Sequence, residues 1–222
     1  KEGLDWAELT EEERNRIIDS CLDQVSADYG NTVLKSSARN EYMLERTRRI
    51  LRRTVWALQE QLKHGAFRPE GVEVRFQGGR IDRVDIMEEP ENNRVYVKVI
   101  DYKTGNTSFD LLALYHGLQL QLMVYLDGAL QVEKRKYPDR EIVPAGVFYY
   151  NVKDPMIQEK IHADMESINE QMLKKMKMNG LVQADDNMST KIDSTMPSIP
   201  VSLNRDGSFS KRSSVASRKQ FD

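Results

Sequence analysis

Arg94-Val95-Tyr96-Val97-Lys98-Val99-Ile100-Asp101-Tyr102-Lys103 alternates with a period of two. Val95, Val97 and Val99 fall on one face, and Tyr96, Lys98 and Ile100 on the other, which is the repeat of a β-strand. Asp101 and Lys103 stand two residues apart at its end, so their side chains share a side.

The same period extends upstream. Arg80 to Met87 reads as a second strand, joined to the first by the polar turn Glu88-Glu89-Pro90-Glu91-Asn92-Asn93. Val72, Val74 and Phe76 alternate with Glu73 and Arg75, and Gly78-Gly79 is a two-residue hairpin signal. Three strands in succession predict an antiparallel meander.

Before the meander the period is helical. Thr10 with Glu13 forms a capping box, and Ile17, Ile18, Cys21, Leu22 and Val25 follow at helical spacing. Cys21 in that stripe reads as a small core filler, and Tyr29-Gly30-Asn31 ends the helix. A longer helix is predicted from about Ser37 to Lys63, its apolar face made by Leu44, Thr47, Leu51, Val55, Leu58 and Leu62. Its first half carries Arg39, Arg46, Arg48, Arg49, Arg52 and Arg53 against Glu41 and Glu45, a local excess of four positive charges. That strip reads either as a solvated helix face or, through Arg48, Arg49 and Arg52, as a track for DNA phosphates.

After the meander, Phe109 to Leu130 reads as one apolar helix, Val143 to Asn151 as an apolar strand, and Asp154-Pro155 as the start of a helix reaching about Met178. From Gly180 the chain turns serine-rich and loses periodicity. The divisions predicted are an N-terminal helical segment over 1–36, a core over 37–155, and a C-terminal helix with an irregular tail over 156–222.

Composition narrows the possibilities. The 222 residues are 31% charged with a formal net charge of −2, which excludes a wholly basic nucleic-acid binder but not a local patch. The one cysteine excludes an intramolecular disulfide or a cysteine-held zinc or iron–sulfur cluster from this chain alone. No apolar run is long enough to span a membrane. Lys1-Glu2-Gly3-Leu4-Asp5-Trp6 is not a signal peptide, and both ends read as cuts within a longer protein.

The carboxylates carry the chemistry. Asp82 and Asp85 lie on the second strand and point to opposite sides, so only one meets Asp101. Two carboxylates from neighbouring strands beside a lysine make an oxygen-rich site for a hard divalent cation such as Mg²⁺. The Tyr102 carbonyl is a further hard donor. Such a cation serves phosphodiester hydrolysis, with the Lys103 ammonium orienting water and stabilising the transition state. The plainer alternative for Asp-x-Lys is a cross-strand ion pair.

Gly79-Arg80-Ile81-Asp82-Arg83-Val84-Asp85, Val99-Ile100-Asp101-Tyr102-Lys103-Thr104-Gly105 and Gly117-Leu118-Gln119-Leu120-Gln121-Leu122-Met123-Val124-Tyr125-Leu126, in that order, resemble the RecB-type nuclease domain of the PD-(D/E)xK superfamily. Within it the likeness is to the AddB family of bacterial helicase–nucleases. Flanking stretches agree, among them Arg52-Arg53-Thr54-Val55-Trp56-Ala57-Leu58, Pro144-Ala145-Gly146-Val147-Phe148-Tyr149-Tyr150 and Ser208-Phe209-Ser210-Lys211-Arg212-Ser213-Ser214.

The resemblance implies an α/β, restriction-endonuclease-like core: a mixed central sheet containing the three-strand meander, flanked by helices. It implies Asp82 and Asp101 as metal ligands, Lys103 as the catalytic lysine, and Gln121 and Tyr125 as the Gln-x-x-x-Tyr motif, with Asp85 structural. Gln121 and Tyr125 lie one helical turn apart on one face. The implied activity is Mg²⁺-dependent exonucleolytic cleavage of DNA, with Mn²⁺ able to substitute. The implied setting is a cytoplasmic ATP-dependent complex with an AddA-like helicase–nuclease subunit, working in double-strand-break repair by recombination.

Two departures stand out. The family's metal-ligating His matches none of His64, His116 or His162, and is expected before Lys1. The family's 4Fe–4S cluster is expected only in the full-length protein, because its cysteines do not occur in this sequence. The piece is therefore expected to fold but to cleave weakly. No Walker-type glycine motif is present, so it is not the ATP motor. The alternative from another class is a non-catalytic DNA-binding or subunit-docking module on the same scaffold.

Overall fold

A computed structural model of the chain describes residues 5–28, 37–157 and 164–221. Two helices, α1 (Glu11–Asp28) and α2 (Ala38–His64), lead into the meander β1 (Arg68–Phe76), β2 (Gly79–Glu89) and β3 (Arg94–Lys103). Then come α3 (Leu111–Tyr115), α4 (Gln121–Lys136), β4 (Glu141–Asn151), α5 (Met165–Lys175), β5 (Asn179–Gln183), α6 (Met188–Ile192), β6 (Val215–Ala216) and α7 (Arg218–Phe221). The strands form one sheet in sequential order, β1 to β6. β1, β2 and β3 pair antiparallel, β3 and β4 parallel, β4 and β5 antiparallel, and β5 and β6 parallel. The central sheet is therefore mixed and carries the meander at one edge. A parallel neighbour needs a crossover, and α3 with α4 supplies it.

Alternation along β3 divides the core. Val95, Val97 and Val99 pack with Ile86, Val147, Leu122 and Leu126 beneath α4. Tyr96 and Ile100 pack on the other face with Ala57 and Leu58 of α2, Phe148, Met172 and Ile192. Side chains of this size, fully withdrawn from water, each stabilise the fold by roughly 1.5–3 kcal/mol.

Several expectations are corrected. Cys21 is exposed. The buried positions of α1 are Arg14, Ile18, Leu22 and Ser26, a stripe of period four that passes beside Cys21. Polar partners on α2 select that stripe: Arg14 Nη1 donates to Gln59 Oε1 at 2.5 Å, and Gln59 Nε2 donates to the Leu9 carbonyl at 2.6 Å. The α1–α2 contact is thus partly a hydrogen-bonded one, which a search for apolar spacing misses. The Thr10 capping box forms, with Glu13 N–H donating to Thr10 Oγ1 and Thr10 N–H to Glu13. Tyr29, Gly30 and Asn31 lie outside the described residues.

The hairpin turn is Gln77-Gly78, since Phe76 pairs with Gly79. The apolar stretch from Phe109 is two helices rather than one. Asp110 caps α3, accepting from Leu112 and Ala113 N–H, and Gly117 at φ +73° ends it. Only Gly holds that left-handed conformation without strain. The break leaves Leu112, Tyr115 and Leu118 exposed, where a continuous helix would have carried them on its apolar stripe.

The helix expected from Asp154-Pro155 is α5, which starts at Met165, where Asp164 accepts from Ser167 N–H; of the earlier stretch, 158–163 lies outside the described residues. The serine-rich tail is not irregular throughout. β5 joins the sheet, and Met188, Ile192, Ile199 and Val201 enter the same core as α2. A Cβ on Gly180 would overlap the Val147 carbonyl oxygen, so glycine lets β5 close on β4.

Candidate active site

β2 and β3 bring the acidic groups together. Arg83 pairs with Ile100, and one step further Asp82 stands across from Asp101. Asp82 Oδ2 accepts from the Tyr102 backbone N–H at 2.8 Å. Asp101 is buried, and the Lys103 Nζ lies 2.7 Å from its Oδ2. Lys103 also donates to Gln121 Oε1 at 2.9 Å, and Gln121 Nε2 donates to the Tyr125 hydroxyl at 2.9 Å. The three sequence motifs therefore meet in one chain of contacts across two strands and the first turn of α4.

Electrostatics follow from this arrangement. Burial pushes the Asp101 carboxyl up; the Lys103 ammonium opposes the shift and the Asp82 charge adds to it. Burial works against a charged Lys103, but the contact with Asp101 and its charge outweigh it and hold the ammonium above the ordinary lysine value. Lys103 is thus cationic at neutral pH.

Asp85 goes to the other face. Arg83 grips it at 2.6 Å (Nε to Oδ1) and 3.0 Å (Nη2 to Oδ2), and Lys98 Nζ sits 3.0 Å from Oδ2. All three are buried. Arg83 Nη1 also donates to the Tyr102 hydroxyl at 3.3 Å. The Tyr102 side chain therefore belongs to this structural face, while its peptide lies against Asp82.

The arginine strip is engaged within the chain. Arg48 pairs with Asp19 (3.1 Å) and Asp23 (3.0 Å), Arg52 with Asp19 (2.5 Å), and Arg49 with Asp154 (2.7 Å). These pairs stitch α1 and the segment after β4 to α2. Replacing Arg48, Arg49 and Arg52 together by Ala is expected to lower stability by about 0.2–1 kcal/mol per pair. The slope of log DNA affinity against log salt should stay unchanged. A slope shallower by about three would return these side chains to the phosphates.

Among the described residues, no third His, Cys, Asp or Glu joins Asp82 and Asp101. His116 packs edge-on against Tyr115 at 5.3 Å, His64 lies 4.0 Å from Glu60, and His162 is outside the described residues. The donor set suits a hard divalent cation by its chemistry: carboxylate oxygens from two neighbouring strands, Asp82 against the Tyr102 peptide and the buried Asp101 with the Lys103 ammonium 2.7 Å away. A cavity between α2 and α5, lined by Trp56, His64, Leu173 and Met196, contains neither carboxylate.

Sequence reading missed Lys98, on the structural face opposite the site, and Tyr149, beside the site. Lys98 reads as an ordinary polar position on the strand, yet it is buried against Asp85. Tyr149 lies opposite Asp101 on β4, with its ring centroid 5.4 Å from Lys103 Nζ. Its signal is period two along β4, but the register that places it here comes only from the parallel pairing.

Comparison with known proteins defines the class. Residues 3–205 match the PD-(D/E)XK nuclease superfamily, and the chain belongs to it. Similar curated proteins are named as the B subunits of ATP-dependent helicase/deoxyribonucleases. Those from Lachnoclostridium phytofermentans, Alkaliphilus metalliredigens and a Thermoanaerobacter species are 42%, 35% and 33% identical over 98%, 99% and 100% of this chain. The chain spans about a fifth of their length, 20%, 21% and 21% respectively.

Proposed function

We propose that this chain is the nuclease portion of an ATP-dependent helicase–deoxyribonuclease and hydrolyses phosphodiester bonds in DNA. The observation that carries the reading is the meeting of Asp82, Asp101 and Lys103 at one point, with Gln121 and Tyr125 holding the lysine from α4. Superfamily membership agrees with it. Asp82, Asp101 and the Tyr102 backbone carbonyl are the groups that would hold Mg²⁺, or Mn²⁺ in its place. When bound there, the ion supplies charge neutralisation at the phosphate and acidifies water.

The chain's own residues do the rest. Lys103 places a fixed positive charge where negative charge develops on the phosphate, preorganised by Asp101 and Gln121 so that little reorientation is needed. Tyr125, tied to Gln121, places a phenol at the mouth of the site for a phosphate or sugar oxygen. The buried Asp101 carboxylate shields one side of the partly exposed ammonium from water.

The names of the relatives support a larger setting, a second subunit and an ATP-dependent helicase acting on DNA; beyond those names, we assign exonucleolytic processing of double-strand breaks for recombination, in the cytoplasm. Among the described residues no helix is long and apolar enough to cross a membrane. A 4Fe–4S cluster, where the full-length subunit carries one, takes its ligands from outside this chain.

Labelled DNA should be cleaved with Mg²⁺ or Mn²⁺, and EDTA should stop the reaction. Cleavage that persists in EDTA would remove the metal from the reading. DNA binding with no cleavage under any divalent cation, in this chain and in the full-length subunit, would favour the docking or binding module.

A further inference from the structure

The Lys103 ammonium has three N–H bonds and two oxygen partners, Asp101 Oδ2 at 2.7 Å and Gln121 Oε1 at 2.9 Å. Beside it lies the Tyr149 ring, its centroid 5.4 Å from Nζ. Tyr149 is held firmly. It sits in β4, parallel to and opposite Asp101 on one side and paired with Asn179 of β5 on the other. It is 4% exposed and packs in the core beneath α4. An aromatic face attracts a cation, and the attraction grows as water is removed. A ring fixed by two neighbouring strands costs little further entropy in this service.

We propose that Tyr149 is a positioning residue for Lys103: its ring face, not its hydroxyl, holds the ammonium between Asp101 and Gln121. The inference rests on the reading of Lys103 as the residue that serves catalysis. Without the ring, Asp101 and Gln121 alone restrain the flexible four-carbon stem of Lys103, and the ammonium spends more of its time out of the site. The flanking Phe148 and Tyr150 face the other side of the sheet, so neither substitutes.

The test compares Tyr149→Phe with Tyr149→Leu, each alone and combined with Lys103→Ala. The Phe variant should keep kcat for DNA cleavage within about twofold. The Leu variant should lose about tenfold in kcat with KM for DNA unchanged. In the Lys103→Ala background, Tyr149→Leu should cost nothing further, because the partner it positions is gone.

A readout independent of cleavage is the proton shift of the Lys103 ε-methylene in the metal-free chain. It should lie upfield in the wild type and the Phe variant, and move to the ordinary lysine position in the Leu variant. Equal losses for Phe and Leu, a Leu variant with wild-type kcat, a loss confined to KM, or an unchanged methylene shift would each overturn the proposal. If Lys103→Ala itself cleaves normally, the nuclease reading fails first; if it is inactive and Tyr149→Leu is normal, only the positioning role fails.

Discussion

Lys103→Ala is expected to slow DNA cleavage by about 10²–10³-fold while leaving the fold and DNA affinity unchanged. Lys103 is half-buried at the end of β3, and its removal uncovers no core. What is lost is a cation held 2.7 Å from Asp101 and 2.9 Å from Gln121, which the proposed function assigns to the charge developing on the phosphate. The effect should fall on kcat, because the charge matters most where charge develops. Lys103→Arg should not restore the rate, since the planar guanidinium cannot reproduce a compact ammonium at this site. Single-turnover cleavage under saturating enzyme measures the change. A loss below about threefold would place Lys103 in a structural ion pair.

Asp85→Ala is expected to destabilise the chain by about 3–5 kcal/mol without touching Asp82 or Asp101. The carboxylate lies between Arg83 and Lys98, all three buried, and its loss strands two cations away from water. Burial alone would raise the Asp85 carboxyl, but the Lys98 and Arg83 charges overcome it and hold it below the ordinary aspartate value of 3.8. Burial also lowers Lys98, which shares a carboxylate already gripped by Arg83.

The sign for Asp85 is that of a depressed carboxylate. Its contribution is fully present above the unfolded value near 3.8 and is lost as pH falls through the lower folded value. Denaturant unfolding measured against pH should therefore show an acid-side loss in the wild type that Asp85→Ala flattens. A change in stability under about 1 kcal/mol at neutral pH would mean that water reaches Arg83 and Lys98.

The meander is legible in the sequence because its strands are long, β3 and the Val72–Phe76 part of β1 alternate, and Gly, Pro and Asn turns separate them. The choice between Asp82 and Asp85 is open from β2 alone, since parity says only that they face apart. The register of Arg83 with Ile100 sends Asp82 toward Asp101. Two kinds of information are not local. Gly117 divides a stretch whose leucines keep helical spacing, and that break decides that Gln121 opens a helix directly over Lys103. β5 hides in a short apolar run before the serine-rich tail, and only its pairing with β4 marks Asn179–Gln183 as a strand. The arginine strip shows the limit of charge counting. Its partners Asp19, Asp23 and Asp154 are distant in sequence, so the excess visible on α2 is offset by other segments.

Calorimetric titration of Mn²⁺ into the metal-free chain tests the carboxylate pair most directly. The wild type is expected to show one saturable binding event, weakened beyond detection by Asp101→Ala and by Asp82→Ala, with circular dichroism unchanged in both variants. Equal Mn²⁺ affinity in wild type and both variants would mean that these two side chains hold no cation, and would remove the chemical basis assigned to the site.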